Sequence, residues 1–444
     1  MPRMRDVARM ARRAAPGTRL LAIGPALRQN RDPIGAILLK LGGAFFSFLI
    51  IFIVARASGP AITGDYSMAI ASAMMASLVA TMGLDQIAIR TIGGDLREGR
   101  QDLAWAALMA VIRLVLPLSI VSAIVLLVGS RFAPLIGASS AAMAAASASV
   151  VAFPLLRVAV VTMRAAGSML MSQFLDVAHS IIILGAVAGL MLVGSGGVRS
   201  STLALLYSGA ICTTATSAWI ILLLRTRNWP RGAISTAPLL SASWRILATS
   251  FCHSLTQWTV LAQVGAELGA DDVGAYRVAN QFVMILALML TTIESFVSPQ
   301  LAGDFRVGDV ARAWRRHRQA TLLMLVTAAL PLLLCTLIPR QLLALFGPAF
   351  VEASTALTIL AVGQTINVLT GPIGGVMVMS GNERLSLRLS LIGLVLTVAL
   401  STVLIPRFEL IGAAIAGTSA LVFRNIAAFV LMRRKLGRGT SPAA

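Results

Sequence analysis

A short glycine–tyrosine pattern occurs twice in this chain, each time between two long apolar runs. The first copy is Gly59-Pro60-Ala61-Ile62-Thr63-Gly64-Asp65-Tyr66-Ser67-Met68-Ala69, and the second runs from Gly269 through Gly274 and Tyr276 to Ala279. Gly59 and Gly269, Gly64 and Gly274, Tyr66 and Tyr276, and Ala69 and Ala279 are each 210 residues apart, and Gly93 and Gly303 keep that interval. The chain has only three tyrosines, and two of them occupy this one position. Glycine reaches positive φ without steric cost, which suits a tight turn. A tyrosine at the head of the following helix suits a membrane interface. The pattern therefore predicts a duplicated membrane domain in which each copy is a turn between two spanning helices.

The composition demands a membrane. Hydrophobic residues make up 57% of the chain and charged residues 12%, and the mean hydropathy of +0.86 is far above that of a soluble domain. A spanning helix needs about 20 mainly apolar residues. Such runs fall at 34–55, 65–89, 103–129, 135–160, 169–193, 200–224, 244–266, 273–298, 319–338, 351–378, 386–405 and 410–432. The expected fold is an all-α integral membrane protein of about twelve spans, six per half. The boundaries read as a basic tail 1–33, a first six-helix unit 34–225, a linker 226–243, a second six-helix unit 244–432 and a basic tail 433–444. The weakly apolar stretch from Ala138 to Val151 is rich in alanine and serine, which lets helices pack closely in lipid.

The formal net charge is +20. In a soluble chain that would suggest nucleic acid, but here the cations follow the positive-inside rule, and no nucleic-acid partner is expected. Arg-rich segments sit in the N-terminal tail, after span two (Arg90, Arg97, Arg100), between the halves (Arg225, Arg227, Arg231, Arg245), after span eight (Arg306 to Arg318), at Arg384 and Arg388, and in the C-terminal tail. The other side holds only Arg56, Arg131, Arg199, Arg340 and Arg407. Both termini are therefore expected in the cytoplasm, with the repeated turn outside. The N-terminal tail has no apolar core before Ile34, unlike a secretory signal, and suits an anionic leaflet. Cys212, Cys252 and Cys335 each lie within a span and suggest neither a disulfide framework nor a metal site. No G-x-x-x-x-G-K-[ST] loop and no catalytic array are present, so no cofactor and no enzymatic reaction are expected.

Charged groups inside a bilayer cost about 2.5–3.5 kcal/mol each on insertion scales and need a reason. Lys40, Arg113, Arg157, Arg277 and Arg424 outnumber Asp176 and Glu294 within the spans, which suggests a cavity for an anion. Arg157 and Asp176 lie at similar depth on successive spans and can pair, as can His253 and Glu294. Lys40 can also snorkel to the interface. Gln257, Gln263, Asn280, Gln281, Gln364 and Asn367 form a polar stripe that can either bind a hydroxyl-rich ligand or join helices. Pro117 and Pro154 are read as tolerated helix residues, and the Gly371-Pro372-Ile373-Gly374-Gly375 cluster as a functional bend.

Several motifs also carry a family resemblance. Gly59-Pro60-x3-Gly64-x-Tyr66 with Gly83-Leu84-Asp85-x4-Arg90 resembles the start of polysaccharide-transporter proteins. Leu268-Gly269-x4-Gly274-x-Tyr276, Phe346-Gly347-Pro348-x-Phe350, and Ile405-Pro406 followed by Leu410 to Ala416 are similar to the second half of the same proteins. These are the O-antigen and exopolysaccharide lipid flippases of the multidrug/oligosaccharidyl-lipid/polysaccharide exporter superfamily. The resemblance covers nearly the whole chain. It implies two pseudo-symmetric six-helix bundles around a central cavity that opens alternately inward and outward. It also implies polyprenyl-diphosphate-linked oligosaccharide as cargo, the lipid bilayer as setting and other polysaccharide-assembly proteins as partners. It makes Lys40 and Arg277 the preferred cavity cations. An ion-coupled multidrug or metabolite antiporter would share the fold, but such proteins resemble one another in an acidic residue in span one, where this chain has Lys40. A membrane polysaccharide polymerase or ligase would be expected to carry a long outward loop, and the outer loops here are short. A fourteen-span lipid II flippase has more spans than this chain.

Overall fold

The computed structural model describes residues 23–192, 198–232 and 237–437. Residues 1–22 of the N-terminal tail, 233–236 of the linker and 438–444 of the C-terminal tail lie outside the described residues. Among those described, the chain is helical and holds no strand. The first half comprises α1 (Ile23–Thr81), α2 (Leu84–Arg97), α3 (Gln101–Gly129), α4 (Ser140–Ala146), α5 (Ser149–Ala165), α6 (Met169–Leu192) and α7 (Ser200–Thr226). The second comprises α8 (Ala237–Glu267), α9 (Ala270–Arg306), α10 (Val310–Leu337), α11 (Pro339–Ala344), α12 (Ser354–Thr370), α13 (Ile373–Met379) and α14 (Glu383–Gly437).

Nine stretches among the described residues are long and apolar enough to cross a membrane. Two of them, Leu38–Thr81 and Glu383–Lys435, have 44 and 53 residues, about twice what one crossing requires. Each is broken once, at Gly59 and at Glu409, and so supplies two crossings. With α8, 31 residues long, the chain has the twelve crossings its apolar runs predict. α1 packs on α3 and α6, and α5 on α7, in the first lobe; α14 packs on α8 and α12, and α9 on α10, in the second. The pairing of α1 with α9 is the most extensive helix contact and joins the lobes.

The repeated motif is tighter than the expected turn. Helix continues on both sides of Gly59, which alone reverses the chain at φ 77° and ψ −177°. Gly269 does the same at φ 102° and ψ −177°. That region is open essentially to glycine alone, which explains why the residue recurs. Glu409 makes a comparable reversal at φ 51° with a side chain, a strain of order 1–3 kcal/mol. The tyrosines are not interface anchors, contrary to the sequence expectation. Tyr66 and Tyr276 are buried in the main apolar core, and the Tyr276 hydroxyl faces Gly417 of α14 within the second lobe.

The two copies meet. A Cβ at Gly64 would lie 1.9 Å from the Ala270 carbonyl oxygen, and one at Gly274 would lie 2.1 Å from that of Pro60. The contact is reciprocal, as a two-fold relation requires. Both turns therefore lie at one end of the molecule, called here the repeat end. Nearby, Gly137 and Gly265 make a similar backbone contact. Phe48 and Phe52 of α1 stack edge-on against Phe346, which also meets Phe282 and Phe350.

A second duplicated element escaped the 210-residue comparison because its interval is 209. Gly99 and Gly308 both adopt φ 75°. The turns before them share a hydrogen-bond pattern: Glu98 N–H to Gly94 O and Gly99 N–H to Leu96 O in one, Val307 N–H to Gly303 O and Gly308 N–H to Phe305 O in the other.

The small-residue stretch within 135–160 is α4 and the start of α5, in the most deeply buried of the nine spans, as close packing of small side chains allows. Pro117 and Pro154 lie inside α3 and α5, which continue past them. Gly371 does break its span: α12 ends at Thr370, Gly371 takes φ 64°, and α13 resumes at Ile373. His317 Nε2 lies 3.0 Å from the Thr370 carbonyl oxygen freed there and donates to it.

Candidate functional site

A cavity of about 510 Å³ lies between the lobes. Its first-lobe wall comes from the second limb of α1 (Met74, Ser77, Thr81), from Asp85 on α2 and from Arg157 on α5. Its second-lobe wall comes from α8 (Ser250, His253, Gln257) and α9 (Tyr276, Arg277, Asn280). Thr81, Gly83, Asp85 and Leu247 lie at the end opposite the repeat, since Thr81 is about 33 Å of helix from Gly59. The glycine crossings close the repeat end, so the space reaches toward the opposite face. Trp258 Nε1 donates to Ser72 Oγ at 2.9 Å and ties the two walls together.

The cavity's two arginines differ sharply. Arg157 is neutralised. Its Nη2 lies 3.0 Å from Asp85 Oδ2 and its Nη1 3.5 Å from Asp176 Oδ1. The expected Arg157–Asp176 pair is thus present, but Asp85, brought in from α2, is the closer partner. Arg277 has no carboxylate partner among the described residues; its one hydrogen bond, from Nη1, goes to Met284 Sδ at 3.2 Å. At the repeat interval its counterpart is Ser67, which is buried. The repeat therefore builds a symmetric frame, and one substitution within it puts an unpaired charge on one wall.

A second cavity of about 280 Å³ lies inside the second lobe and shares His253, Gln257, Tyr276 and Asn280 with the first. Glu294, Gln364, Asn367 and Arg424 line it, as do Gly371 and Pro372 at the break in the tenth span. Irregular backbone within a membrane is tolerated where it lines such a space. His253 does not pair with Glu294 as expected. Arg424 Nη1 from α14 reaches His253 Nδ1 at 3.3 Å instead, while Glu294 accepts the Gly375 N–H.

The remaining sequence candidates fall elsewhere. Lys40 is half-buried, lines neither cavity and makes no ion pair among the described residues. Arg113 is exposed on the α3 face that carries Leu116, Ile120 and Ile124, outside both cavities. Gln281 is buried beside neither cavity, and Gln263 Nε2 bonds Thr402 Oγ1 at 3.2 Å. Sequence reasoning missed Asp85 as the main partner of Arg157, although the residue already stood in the Gly83-Leu84-Asp85 motif.

The family model described as "Polysaccharide biosynthesis protein" matches residues 32–301, and the MatE model matches residues 246–403. No curated protein matches the chain. Among solved structures, the chain is similar to the inward-facing conformation of a multidrug resistance MATE family transporter of the MOP superfamily. That match has a TM-score of 0.77 and 13% identity, covering 90% of this chain and 96% of that one. Its likeness to the lipid II flippase MurJ in an inward closed conformation has a TM-score of 0.70 at 13% identity, covering 91% and 87%. An outward-facing MATE transporter of the same superfamily matches at 0.63 and 13% identity, covering 92% and 96%. These likenesses give the fold, a helical bundle of two lobes. The chain belongs to the polysaccharide biosynthesis protein family.

Proposed function

We propose that this protein flips a polyprenyl-diphosphate-linked oligosaccharide from the cytoplasmic to the periplasmic leaflet of a bacterial inner membrane by alternating access. The observation that carries the reading is Arg277, a cation without a carboxylate partner in the cavity between the lobes. A diphosphate supplies the missing countercharge, and the planar guanidinium matches its oxygens two at a time. The glycine crossing at the repeat end and the cavity reaching toward the opposite face suit a state that loads cargo from the cytoplasm. In this reading both termini and the linker face the cytoplasm, the lobes correspond to residues 34–225 and 244–432, and the repeat end faces outward. An ion-coupled antiporter calls for a carboxylate free to bind a cation. Asp85, the acid lining the central cavity, is already held by Arg157.

The test is a deletion strain complemented with the wild-type chain or with Arg277→Ala. Lipid-linked oligosaccharide accumulates on the cytoplasmic leaflet without the protein, and Arg277→Ala fails to clear it. A deletion strain with no trapped lipid-linked intermediate overturns the reading.

A further inference from the structure

Three polar residues lining the second-lobe cavity have no imidazole or amide counterpart in the first lobe. At the 210-residue interval, His253, Gln257 and Asn280 correspond to Gly43, Ser47 and Ile70. Both halves build the same bundle, so helix packing alone does not call for this polar set. Polar side chains within membrane-spanning helices are costly unless they are partnered, and several here are not.

Their unused hydrogen-bonding capacity is specific. Asn425 Nδ2 donates to Asn367 Oδ1 at 2.7 Å, and Asn367 Nδ2 donates to Gln364 Oε1 at 2.8 Å. This relay uses the Gln364 carbonyl and leaves its NH2 group, on a side chain only 6% exposed, for the cavity. Thr418 Oγ1 is buried on the same wall with no partner. The Gln257 and Asn280 amides on the shared wall make no hydrogen bond among the described residues. The formal charges balance, Glu294 against Arg424. His253 accepts the Arg424 hydrogen bond at Nδ1, since arginine only donates, and is therefore neutral. What the cavity offers is several neutral donors and acceptors, no net charge and the ring of Tyr276 on one side. Its volume is near the lower edge of small-ligand pockets, about 300 Å³, which suits one ring and not a chain of them.

We propose that this cavity is a sugar subsite that takes one uncharged pyranose of the cargo headgroup. Gln364, Thr418, Gln257 and Asn280 bond its hydroxyls, and Asn367 positions Gln364. Gln257, Tyr276 and Asn280 line both cavities, so a diphosphate at Arg277 and the sugar next to it occupy contiguous space. The assignment rests on the flippase reading above and adds to it the group that distinguishes one cargo from another.

The test measures binding to the full-length chain in lipid nanodiscs by calorimetry. One probe is a short-chain polyprenyl diphosphate without sugar. The others are the same lipid carrying a single neutral hexose or N-acetylhexosamine from a panel. At least one neutral sugar is expected to raise affinity about tenfold, the worth of one or two net hydrogen bonds. Gln364→Leu and the nearly isosteric Thr418→Val should each remove most of that increment while leaving affinity for the sugarless lipid within about twofold. Arg277→Ala should weaken all probes together. The subsite is overturned if no neutral sugar improves on the sugarless lipid, or if Gln364→Leu and Thr418→Val weaken both kinds of probe equally. Failure of the flippase reading looks different: the sugarless diphosphate lipid then does not bind, and Arg277→Ala changes nothing.

Discussion

Gly64 and Gly274, 210 residues apart, press their backbones together where the two lobes cross. An added Cβ would fall 1.9 Å from Ala270 O on one side and 2.1 Å from Pro60 O on the other. Backbone oxygen cannot swing aside as a flexible side chain can, so even one methyl group must push the helices apart. Gly64→Ala and Gly274→Ala are each expected to cost about 1–3 kcal/mol, read as a lowered thermal midpoint in detergent. The same change should loosen the seal at the repeat end, and a cysteine placed at Ser67 should then react faster with a reagent added outside cells. Unchanged stability together with unchanged labelling would show that the crossing is not under this constraint.

Arg277 and Lys40 separate in the structure although the sequence ranks them together. Arg277→Ala is expected to weaken diphosphate-lipid binding by about 1.5–3 kcal/mol, the worth of a hydrogen bond to a charged group. Arg277→Lys keeps the charge but loses the two-pronged geometry and should fall in between. Lys40→Ala, on a residue that lines neither cavity, should have the smaller effect. A larger loss with Lys40→Ala in the same binding assay would move the anion site to span one.

Asp85 holds Arg157 at 3.0 Å, closer than Asp176 at 3.5 Å. Asp85→Asn removes one negative charge from the central cavity and leaves Arg157 more available to an anion. Tighter binding of polyprenyl diphosphate, with some loss of stability, is the expected result. Weaker binding by this variant would count against an anionic cargo in the central cavity.

For the diphosphate-linked cargo proposed above, the membrane potential would supply a driving force without a co-transported ion. A diphosphate carrying about two negative charges gains roughly 4–5 kcal/mol per 100 mV when it crosses the whole field outward, provided that Arg277 stays nearly fixed in the field. Reconstituted vesicles with a clamped potassium-diffusion potential, and no proton or sodium gradient, should flip cargo faster at one sign of the potential. Equal rates at both signs would favour ion-coupled antiport.

The distribution of arginine is the basis for expecting residues 225–243 and both termini in the cytoplasm. Single cysteines at the exposed positions Asn228 and Arg231 should stay protected from an impermeant reagent in intact cells and react in inverted vesicles. Labelling from outside intact cells would reverse the orientation, and with it the direction in which the cavity opens.

Sequence alone determined the elements whose causes are local. Apolar runs of spanning length fix a helix-only membrane fold because lipid leaves backbone groups no other partner. Gly59 and Gly269 fix the helix reversals because only glycine reaches that backbone region cheaply. The repeat interval then implies two like halves. The charges inside the spans were legible as residues but not as pairs. Arg157 meets Asp85 across 72 residues and Arg424 meets His253 across 171, so packing alone decides which partner each cation finds. Tertiary structure likewise turned the polar stripe into separate things: a cavity wall at Gln257, Asn280, Gln364 and Asn367, and core or inter-helix contacts at Gln281 and Gln263. It left Arg277 unpaired on one side of a nearly symmetric frame, because the position 210 residues earlier is Ser67.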